Sequence, residues 1–219
     1  MGAHARFIRA FALCWLALAL TMLPAAAQQV KRDVDYRVIP QQPVESGERI
    51  EVLDFFFYAC PYCNDLLPYL ERWQKRNAAE IVFRHVPVVR HDSWVPLAKT
   101  YFTLEAMGEA GRLHSAVYRS YHVEELSMSQ DKVIAEWAEK NGLDREKFMT
   151  IYRSEETQQK VERARKMTTD YDIHGTPSIV VDGKYLTSTS MTPGIPQVIP
   201  VLDGLIRLAR QQRLEKSGK

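Results

Sequence analysis

Cysteine is scarce in this sequence, with three in 219 residues, at positions 14, 60 and 63. The close pair at 60 and 63 has no second CxxC and no HxxxH to accompany it, and a zinc site normally needs such a second pair of ligands. His85 and His91 are the histidines that invite a metal site, but His85 lies in a strand pattern typical of a core residue. We therefore expect no metal.

The first 27 residues have the pattern of an export signal. Arg6 and Arg9 give a positive start, residues 10–23 are apolar apart from Thr21, and three alanines at 25–27 offer a cleavage site. The alternative, a membrane anchor, needs about 20 apolar residues to span a bilayer, more than this run has. We expect residues 1–27 to be removed and the mature protein to be exported.

An excess of either charge is also absent once the signal is removed. Two of the 29 basic residues lie in the signal, which leaves 27 Lys and Arg against 27 Asp and Glu. Proteins that bind nucleic acid usually have a basic excess, so we expect no such partner. Internal repeats and low-complexity segments are lacking too, and the remaining chain is long enough for one sizeable core or one domain with an insertion.

The two close cysteines lie between a strand pattern and a helix pattern. Residues 49–58 (RIEVLDFFFY) are β-branched and aromatic, as in a strand buried on both faces. Cys60-Pro61-Tyr62-Cys63 follows directly, and then apolar residues recur at helical spacing up to Trp73. Residues 81–89 (IVFRHVPVV) form a second apolar run. The segment therefore predicts a strand–helix–strand unit with parallel strands.

The rest of the chain predicts a helical block followed by a hairpin and a last helix. Residues 93–171 have apolar residues at helical spacing with three breaks, which predicts about four helices. Residues 178–181 and 184–189 are strand-like and flank Asp182-Gly183, as in a β-hairpin. The prolines at 193 and 196 open an amphipathic pattern that continues to Leu208.

Cys60 and Cys63 are suited to redox chemistry rather than to a structural bridge. They are the only thiols left after signal removal, so they pair with each other or with another molecule. A disulfide between residues three apart closes a very small loop and stabilises a fold little. At a helix N-terminus, the amides and the dipole favour a Cys60 thiolate, whereas Cys63 lies one turn inside and should be more buried.

The order strand, CxxC helix, strand, helical block, hairpin and closing helix resembles the DsbA family of periplasmic oxidants. The resemblance rests on the buried run that ends in Cys60-Pro61-Tyr62-Cys63 and on Gly175-Thr176-Pro177 before the hairpin. It implies an α/β, thioredoxin-like fold, with a mixed central sheet flanked by helices and an inserted all-helical domain. The chain then divides into a signal at 1–27, thioredoxin-like parts at 28–92 and 172–219, and a helical insertion at 93–171.

The resemblance also implies how the site is built. The family has a cis-proline turn that faces the active-site disulfide and offers backbone groups to an extended substrate, and Thr176–Pro177 matches it. Between the cysteines the family typically has Pro-His, whereas this sequence has Pro61 and Tyr62. Tyr62 cannot supply the positive charge of an imidazolium, although its hydroxyl could donate a hydrogen bond, so the strength of oxidation is an open question.

Asp54 occupies the position where this fold often buries an acid behind the second cysteine. It is a candidate proton acceptor for Cys63. Family members often place a lysine on the neighbouring strand, where this sequence offers Phe83 and Arg84. A surface or merely hydrogen-bonded aspartate is the alternative.

The expected function is oxidation of newly exported, unfolded polypeptides in the periplasm by the Cys60–Cys63 disulfide, through a mixed disulfide at Cys60. The resemblance implies no soluble cofactor and a membrane quinone-linked reoxidant of the DsbB type. An isomerase or reductase of the same fold is an alternative, but isomerases usually have an N-terminal dimerisation domain, and residues 28–48 are too short for one. We expect a monomer. A peptide-binding chaperone with incidental thiols is a third possibility.

Overall fold

The computed structural model describes residues 29–218. The expected export signal and Cys14 lie outside these residues. Within them, the chain forms five strands and seven α-helices. The strands are β1 (Arg37–Val38), β2 (Ile50–Phe56), β3 (Ile81–Pro87), β4 (Ser178–Val181) and β5 (Tyr185–Ser188). The α-helices are α1 (Pro61–Asn77), α2 (Val95–Ala106), α3 (Ala110–His122), α4 (Asp131–Lys140), α5 (Arg145–Tyr152), α6 (Glu155–Asp170) and α7 (Val198–Ser217).

The five strands form one mixed sheet in the order β1-β5-β4-β2-β3. Strands β2 and β3 are parallel and joined through α1, which confirms the predicted strand–helix–strand unit. Strands β4 and β5 form the predicted antiparallel hairpin. Its central residues Asp182 and Gly183 both have positive φ, 55° and 65°, as a tight two-residue turn requires. A Cβ on Gly183 would meet the carbonyl oxygen of Gln42 at 2.6 Å.

Five α-helices, α2 to α6, lie between β3 and β4, where the sequence predicted about four. The additional helix is the short α5. Asp144 caps it by accepting a hydrogen bond from the backbone N–H of Lys147, and Ser154 caps α6 in the same way. Two turns of helix between close breaks are too few for a periodic pattern to emerge. The fold is therefore the predicted mixed sheet with an inserted helical block, whereas the exact domain boundaries stay a prediction.

The two faces of the sheet bury different partners. On β2, Ile50 and Val52 pack with α1 and α7, whereas Leu53 and Phe55 belong to the larger core shared with the helical block. The closing helix starts at Val198, slightly later than predicted, because a short 3-10 helix at Ile195–Gln197 precedes it. No helix within residues 29–218 combines the length and the apolar character needed to cross a membrane. Because each face of the sheet packs against its own core, β2 lies between the two hydrophobic clusters.

Candidate redox site

Cys60 and Cys63 lie where β2 gives way to α1. After β2 the chain makes a turn in which the Cys60 N–H donates to the Phe57 carbonyl oxygen at 3.0 Å. Cys60 is the N-cap of α1 and has an extended backbone, and Pro61 is the first helical residue. Proline suits this position because its missing N–H would have had no helical partner. Cys63 is 4 % exposed and Cys60 is partly exposed, which confirms the prediction that Cys63 is the more buried of the two.

The surroundings of Cys60 favour its thiolate. They lower the pKa of Cys60 from 9.0 to about 6. The largest cause is a hydrogen bond from the Cys63 side chain, which burial of Cys60 partly opposes. A hydrogen bond from the Thr176 side chain lowers the pKa further. The backbone N–H groups of Cys63 and Tyr62 add smaller contributions. The sequence argument relied on the helix amides, and these do contribute, but the Cys63 thiol contributes more. With such a pKa, the thiolate is the favoured form of Cys60 at pH 7.

The surroundings of Cys63 favour its protonated thiol. Burial raises the pKa of Cys63 well above its usual value, and the hydrogen bond and charge of Cys60 and the charge of Asp54 raise it further. The two cysteines are unbridged in this structure, and the two pKa shifts favour a thiolate at the partly exposed Cys60 and a thiol at the buried Cys63. The two cysteines therefore have different roles in disulfide exchange, because the Cys60 thiolate is the good leaving group and the Cys63 thiol is the internal partner.

The Thr176–Pro177 turn faces Cys60. Its peptide bond is cis, as predicted. The Cys60 sulfur lies 3.2 Å from the carbonyl oxygen of Thr176. The turn leads into Ser178, which pairs with Phe55 near the end of β2. The structure therefore places this cis-proline turn against Cys60, as the resemblance implied.

An open groove of about 660 Å³ lies beside this turn. Tyr62 lies at its edge with 58 % of its surface exposed. The lining also includes the hydroxyl groups of Ser188, Ser190 and Thr192 and the apolar side chains of Leu186, Met191 and Ile195. The groove is thus an accessible surface of mixed polar and apolar character beside the turn that contacts Cys60.

The segment before the turn is held by ionic contacts. Arg37 binds both the carboxylate and the backbone oxygen of Asp172, and His174 lies 3.0 Å from the same carboxylate. These contacts lower the pKa of Asp172, with the Arg37 hydrogen bond as the largest cause. Arg90 donates to the backbone oxygen of His174. The loop that presents Thr176 is therefore anchored to β1 and to the residues after β3.

Asp54 is buried behind the cysteines, with 3 % of its surface exposed. Its partner is His85, directly opposite on β3, with 2.8 Å between Asp54 Oδ2 and His85 Nδ1. The neighbour of Asp54 on β3 is thus His85, and not Phe83 or Arg84, the residues that the sequence offered on that strand. Arg84 binds Glu51 and Glu45 instead.

A second histidine extends this polar cluster. The His114 ring lies 4.3 Å from that of His85, and its Nδ1 lies 2.8 Å from the Tyr58 hydroxyl. Burial, and to a lesser extent His85, lowers the pKa of His114 well below its usual value, so this ring is neutral at pH 7. His122 also reaches the site, with Nε2 2.8 Å from the Tyr58 carbonyl oxygen. Neither contact has a local signal in the sequence, because His114 and His122 each lie more than 50 residues from Tyr58.

Metal ligation has no support in the described part of the chain. No group of three or more His, Cys, Asp or Glu side chains within residues 29–218 is arranged to hold a metal ion. His85, which the sequence suggested as a possible ligand, is bound to Asp54 instead.

Comparison with known proteins assigns the family. Residues 51–198 match the family model of the DSBA-like thioredoxin domain. The chain belongs to the DSBA-like thioredoxin family. Among its relatives is the thiol:disulfide interchange protein DsbA of Bordetella parapertussis, which is 34 % identical over 197 residues, 89 % of this chain and 94 % of the relative. The protein of the same name from Burkholderia cepacia is 31 % identical over 199 residues, 91 % of this chain and 94 % of the relative.

Solved structures agree with this assignment. The crystal structure of Pseudomonas aeruginosa DsbA superimposes with a TM-score of 0.80 at 28 % identity, and the match covers 84 % of this chain and 96 % of that one. The oxidoreductase DsbA from Xylella fastidiosa gives a TM-score of 0.75 at 26 % identity over 81 % and 96 % of the two chains. This DSBA-like chain is therefore a thiol–disulfide oxidoreductase with a thioredoxin-like fold.

Proposed function

We propose that this DSBA-like protein donates its Cys60–Cys63 disulfide to newly exported polypeptides and thereby promotes their oxidative folding. The observation that carries the proposal is the asymmetry of the two sulfurs. Cys60 is partly exposed and its pKa is lowered to about 6, whereas Cys63 is buried and its pKa is raised. Stabilising the thiolate of the reduced form makes the disulfide form the stronger oxidant.

The exchange proceeds in two steps. A substrate thiolate attacks the Cys60 sulfur, the bond between the two enzyme sulfurs breaks, and Cys63 leaves with the electron pair and takes up a proton. A second substrate thiol then loses its proton and attacks the substrate sulfur of the mixed disulfide. Cys60 leaves as a thiolate, and the substrate gains a disulfide while the enzyme becomes a dithiol.

The groove beside Thr176–Pro177 is the proposed substrate site. An extended peptide there would lie along the turn and place its sulfur near Cys60, which is 3.2 Å from the Thr176 carbonyl oxygen. An unfolded chain meets this requirement, because its backbone groups are free to bind the turn. Unfolded and reduced exported proteins are therefore the proposed substrates.

Turnover requires a reoxidant. We propose a DsbB-like membrane quinone reductase that accepts electrons from the reduced pair, with both partners in or facing the periplasm. The export pattern of residues 1–27 and the DsbA relatives support this location. The protein itself needs no soluble cofactor, because the two sulfurs carry both electrons.

Reductase or isomerase activity is the second candidate, and Tyr62 is the observation that favours it. Tyr62 lowers the pKa of Cys60 through its backbone N–H, and its phenol cannot supply the positive charge that an imidazolium would add. A weaker oxidant would follow from that difference. The redox equilibrium separates the two candidates.

The direct test is refolding of a reduced, unfolded disulfide protein with catalytic amounts of this protein and an external oxidant. The unmodified protein should accelerate formation of disulfides, and Cys60→Ser should abolish turnover. Cys63→Ser should accumulate a mixed disulfide with the substrate at Cys60, detectable by mass spectrometry. Full activity of Cys60→Ser would instead indicate a chaperone with incidental thiols, and the proposal would fail.

A further inference from the structure

We propose that the groove beside Thr176–Pro177 prefers substrate segments that carry a carboxylate next to the cysteine, and that Arg37, Arg90 and His174 supply the charge that selects them. These three residues are called the basic rim below. The inference rests on the proposed function and deepens it, because it names the class of segment that the same site prefers.

The charged side chains that line the groove are all basic. Arg37 and His174 line it, and none of the lining residues, all of which lie within residues 29–218, is an aspartate or a glutamate. The cavity between the sheet and helices α2 and α6 differs, because lysines and arginines there are matched by an equal number of aspartates and glutamates. A carboxylate that enters the groove therefore meets no like charge in its lining.

Arg37 has hydrogen-bond donors to spare. It lies on β1 opposite Leu186 of β5, and its side chain is partly exposed. Its guanidinium donates to the carboxylate and to the backbone oxygen of Asp172. An arginine has five N–H donors, and the other donors of Arg37 bind no group within residues 29–218. They are available to a carboxylate in the groove, and such charge-assisted hydrogen bonds are stronger than neutral ones.

Arg90 adds a second guanidinium at the same place. It is exposed and donates to the backbone oxygen of His174, which lines the groove. Asp92, two residues further along the chain, is paired with Arg165, and no acidic side chain in the described part of the chain forms an ion pair with Arg90. Because Arg90 contacts a lining residue, its charge acts on the groove over less than the Debye length of about 8 Å at physiological ionic strength.

A single carboxylate, that of Asp172, opposes the basic rim. Arg37 binds it, and His174 Nε2 lies 3.0 Å from it. Asp172 stays ionised near neutral pH, because the Arg37 hydrogen bond lowers its pKa. Two guanidinium groups against one carboxylate leave a net charge of +1 while His174 is neutral, and protonation of His174 makes it more positive. The basic rim therefore attracts anionic segments and repels cationic ones.

The same charge suits both ends of the exchange reaction. A reduced substrate meets the disulfide form of the enzyme, in which Cys60 carries no charge, so the basic rim attracts its carboxylate unopposed. After the exchange, the Cys60 thiolate lies 3.2 Å from the Thr176 carbonyl oxygen at the edge of the groove and repels that carboxylate. The charge next to the substrate cysteine thus assists capture of the reduced segment and release of the oxidised one.

The test uses three reduced peptides that have the same two cysteines and differ only in carrying Glu, Gln or Lys next to the first cysteine. Each reacts with the oxidised mature protein, and acid quenching followed by mass spectrometry gives the second-order rate constant. Each rate is divided by that of the same peptide with bis(2-hydroxyethyl) disulfide, which is uncharged, to remove the effect of the neighbouring charge on the cysteine itself. The variants are Arg90→Gln, Arg90→Lys and Arg90→Glu.

The matched control is Lys132→Gln, which removes a positive charge from an exposed lysine that is paired with Glu136 on α4. In the unmodified protein the Glu peptide should react about three- to fivefold faster than the Gln peptide at low ionic strength, and the Lys peptide slower by a similar factor, as an ion pair at a partly exposed site allows. Lys132→Gln and Arg90→Lys should keep this order. Arg90→Gln should bring the three rates within about twofold of one another, and Arg90→Glu should reverse the order.

Equal rates for the three peptides with the unmodified protein would overturn the proposal, and so would a preference that Arg90→Glu leaves unchanged. A second measurement needs no variant: the preference should fall toward unity at about 1 M salt, where the Debye length is about 3 Å, and a preference that ignores salt would overturn the proposal.

Failure of the proposed function gives a different result, because the protein would then oxidise none of the three peptides. The same ratios are in that case taken from the reverse reaction, reduction of the three peptide disulfides by the reduced protein. A ratio that changes between the unmodified protein and Arg90→Glu supports the charge preference in either direction, and an unchanged ratio overturns it.

Discussion

Replacing Cys63 by alanine should raise the pKa of Cys60, because it removes the hydrogen bond that contributes most to the low value. A hydrogen bond to a charged group is worth about 1.5–3 kcal/mol, and one pKa unit corresponds to about 1.4 kcal/mol, so the expected rise is roughly one to two units. The pKa should then move from about 6 to roughly 7–8, with the thiolate still favoured by the Thr176 side chain and by the amides of Tyr62 and Cys63, whose backbone the substitution keeps.

The assay is titration of the Cys60 thiolate by its ultraviolet absorbance, supported by the pH dependence of its alkylation rate. Cys63→Ser is the matched control, because a serine hydroxyl can still donate to the Cys60 sulfur and should keep its pKa within about half a unit of the starting value. An unchanged pKa in Cys63→Ala would refute the reasoning. It would mean that the thiolate is stabilised by the helix amides, on which the sequence argument relied, and by Thr176, without the Cys63 thiol.

Three further predictions concern the site and the core. Tyr62→His should lower the pKa of Cys60 by about one unit, since an imidazolium adds a positive charge. It should also shift the glutathione equilibrium up to about tenfold toward the dithiol. Tyr62→Phe should change neither the pKa nor the equilibrium. The folded-state pKa of Cys60 lies below its usual 9.0, so the thiolate stabilises the reduced protein fully above pH 9 and loses this effect as the pH falls through about 6. At pH 7 the thiolate contributes at most about 1.4 kcal/mol to the free energy of unfolding, and about half of that after solvent screening, because Cys60 is partly exposed. Urea unfolding of the reduced protein and of Cys60→Ser from pH 5 to 8 measures this contribution. A stability difference between the two proteins that does not change with pH would contradict the prediction. Leu66→Ala should cost about 2–5 kcal/mol in unfolding free energy, because Leu66 is fully buried, whereas Leu66→Met should cost less than about 1.5 kcal/mol.

The parts of the fold that the sequence predicted are those with local signals. The apolar run before Cys60 identifies a buried strand, and the cysteine spacing indicates the start of a helix. Asp182-Gly183 supplies the two positive φ values that the hairpin turn needs, so the hairpin was predictable from two residues. Each of these inferences depends on chain neighbours, for which the backbone leaves few choices.

The parts that the sequence did not predict depend on how distant segments align. Asp54 meets His85 because β2 and β3 pair in a particular register, and a shift of one residue would have placed Arg84 opposite Asp54. The contact of His114 with Tyr58 depends on the packing of α3 against the end of β2. A single sequence contains no period or spacing that reports either alignment.

The reduction equilibrium with glutathione tests the central claim most directly. If Cys60–Cys63 is an oxidant, the purified protein should remain largely reduced at low glutathione disulfide, with a reduction potential above about −200 mV. Complete oxidation under those conditions, with a potential below that value, would contradict the account and indicate a reductant built on the same pair of sulfurs.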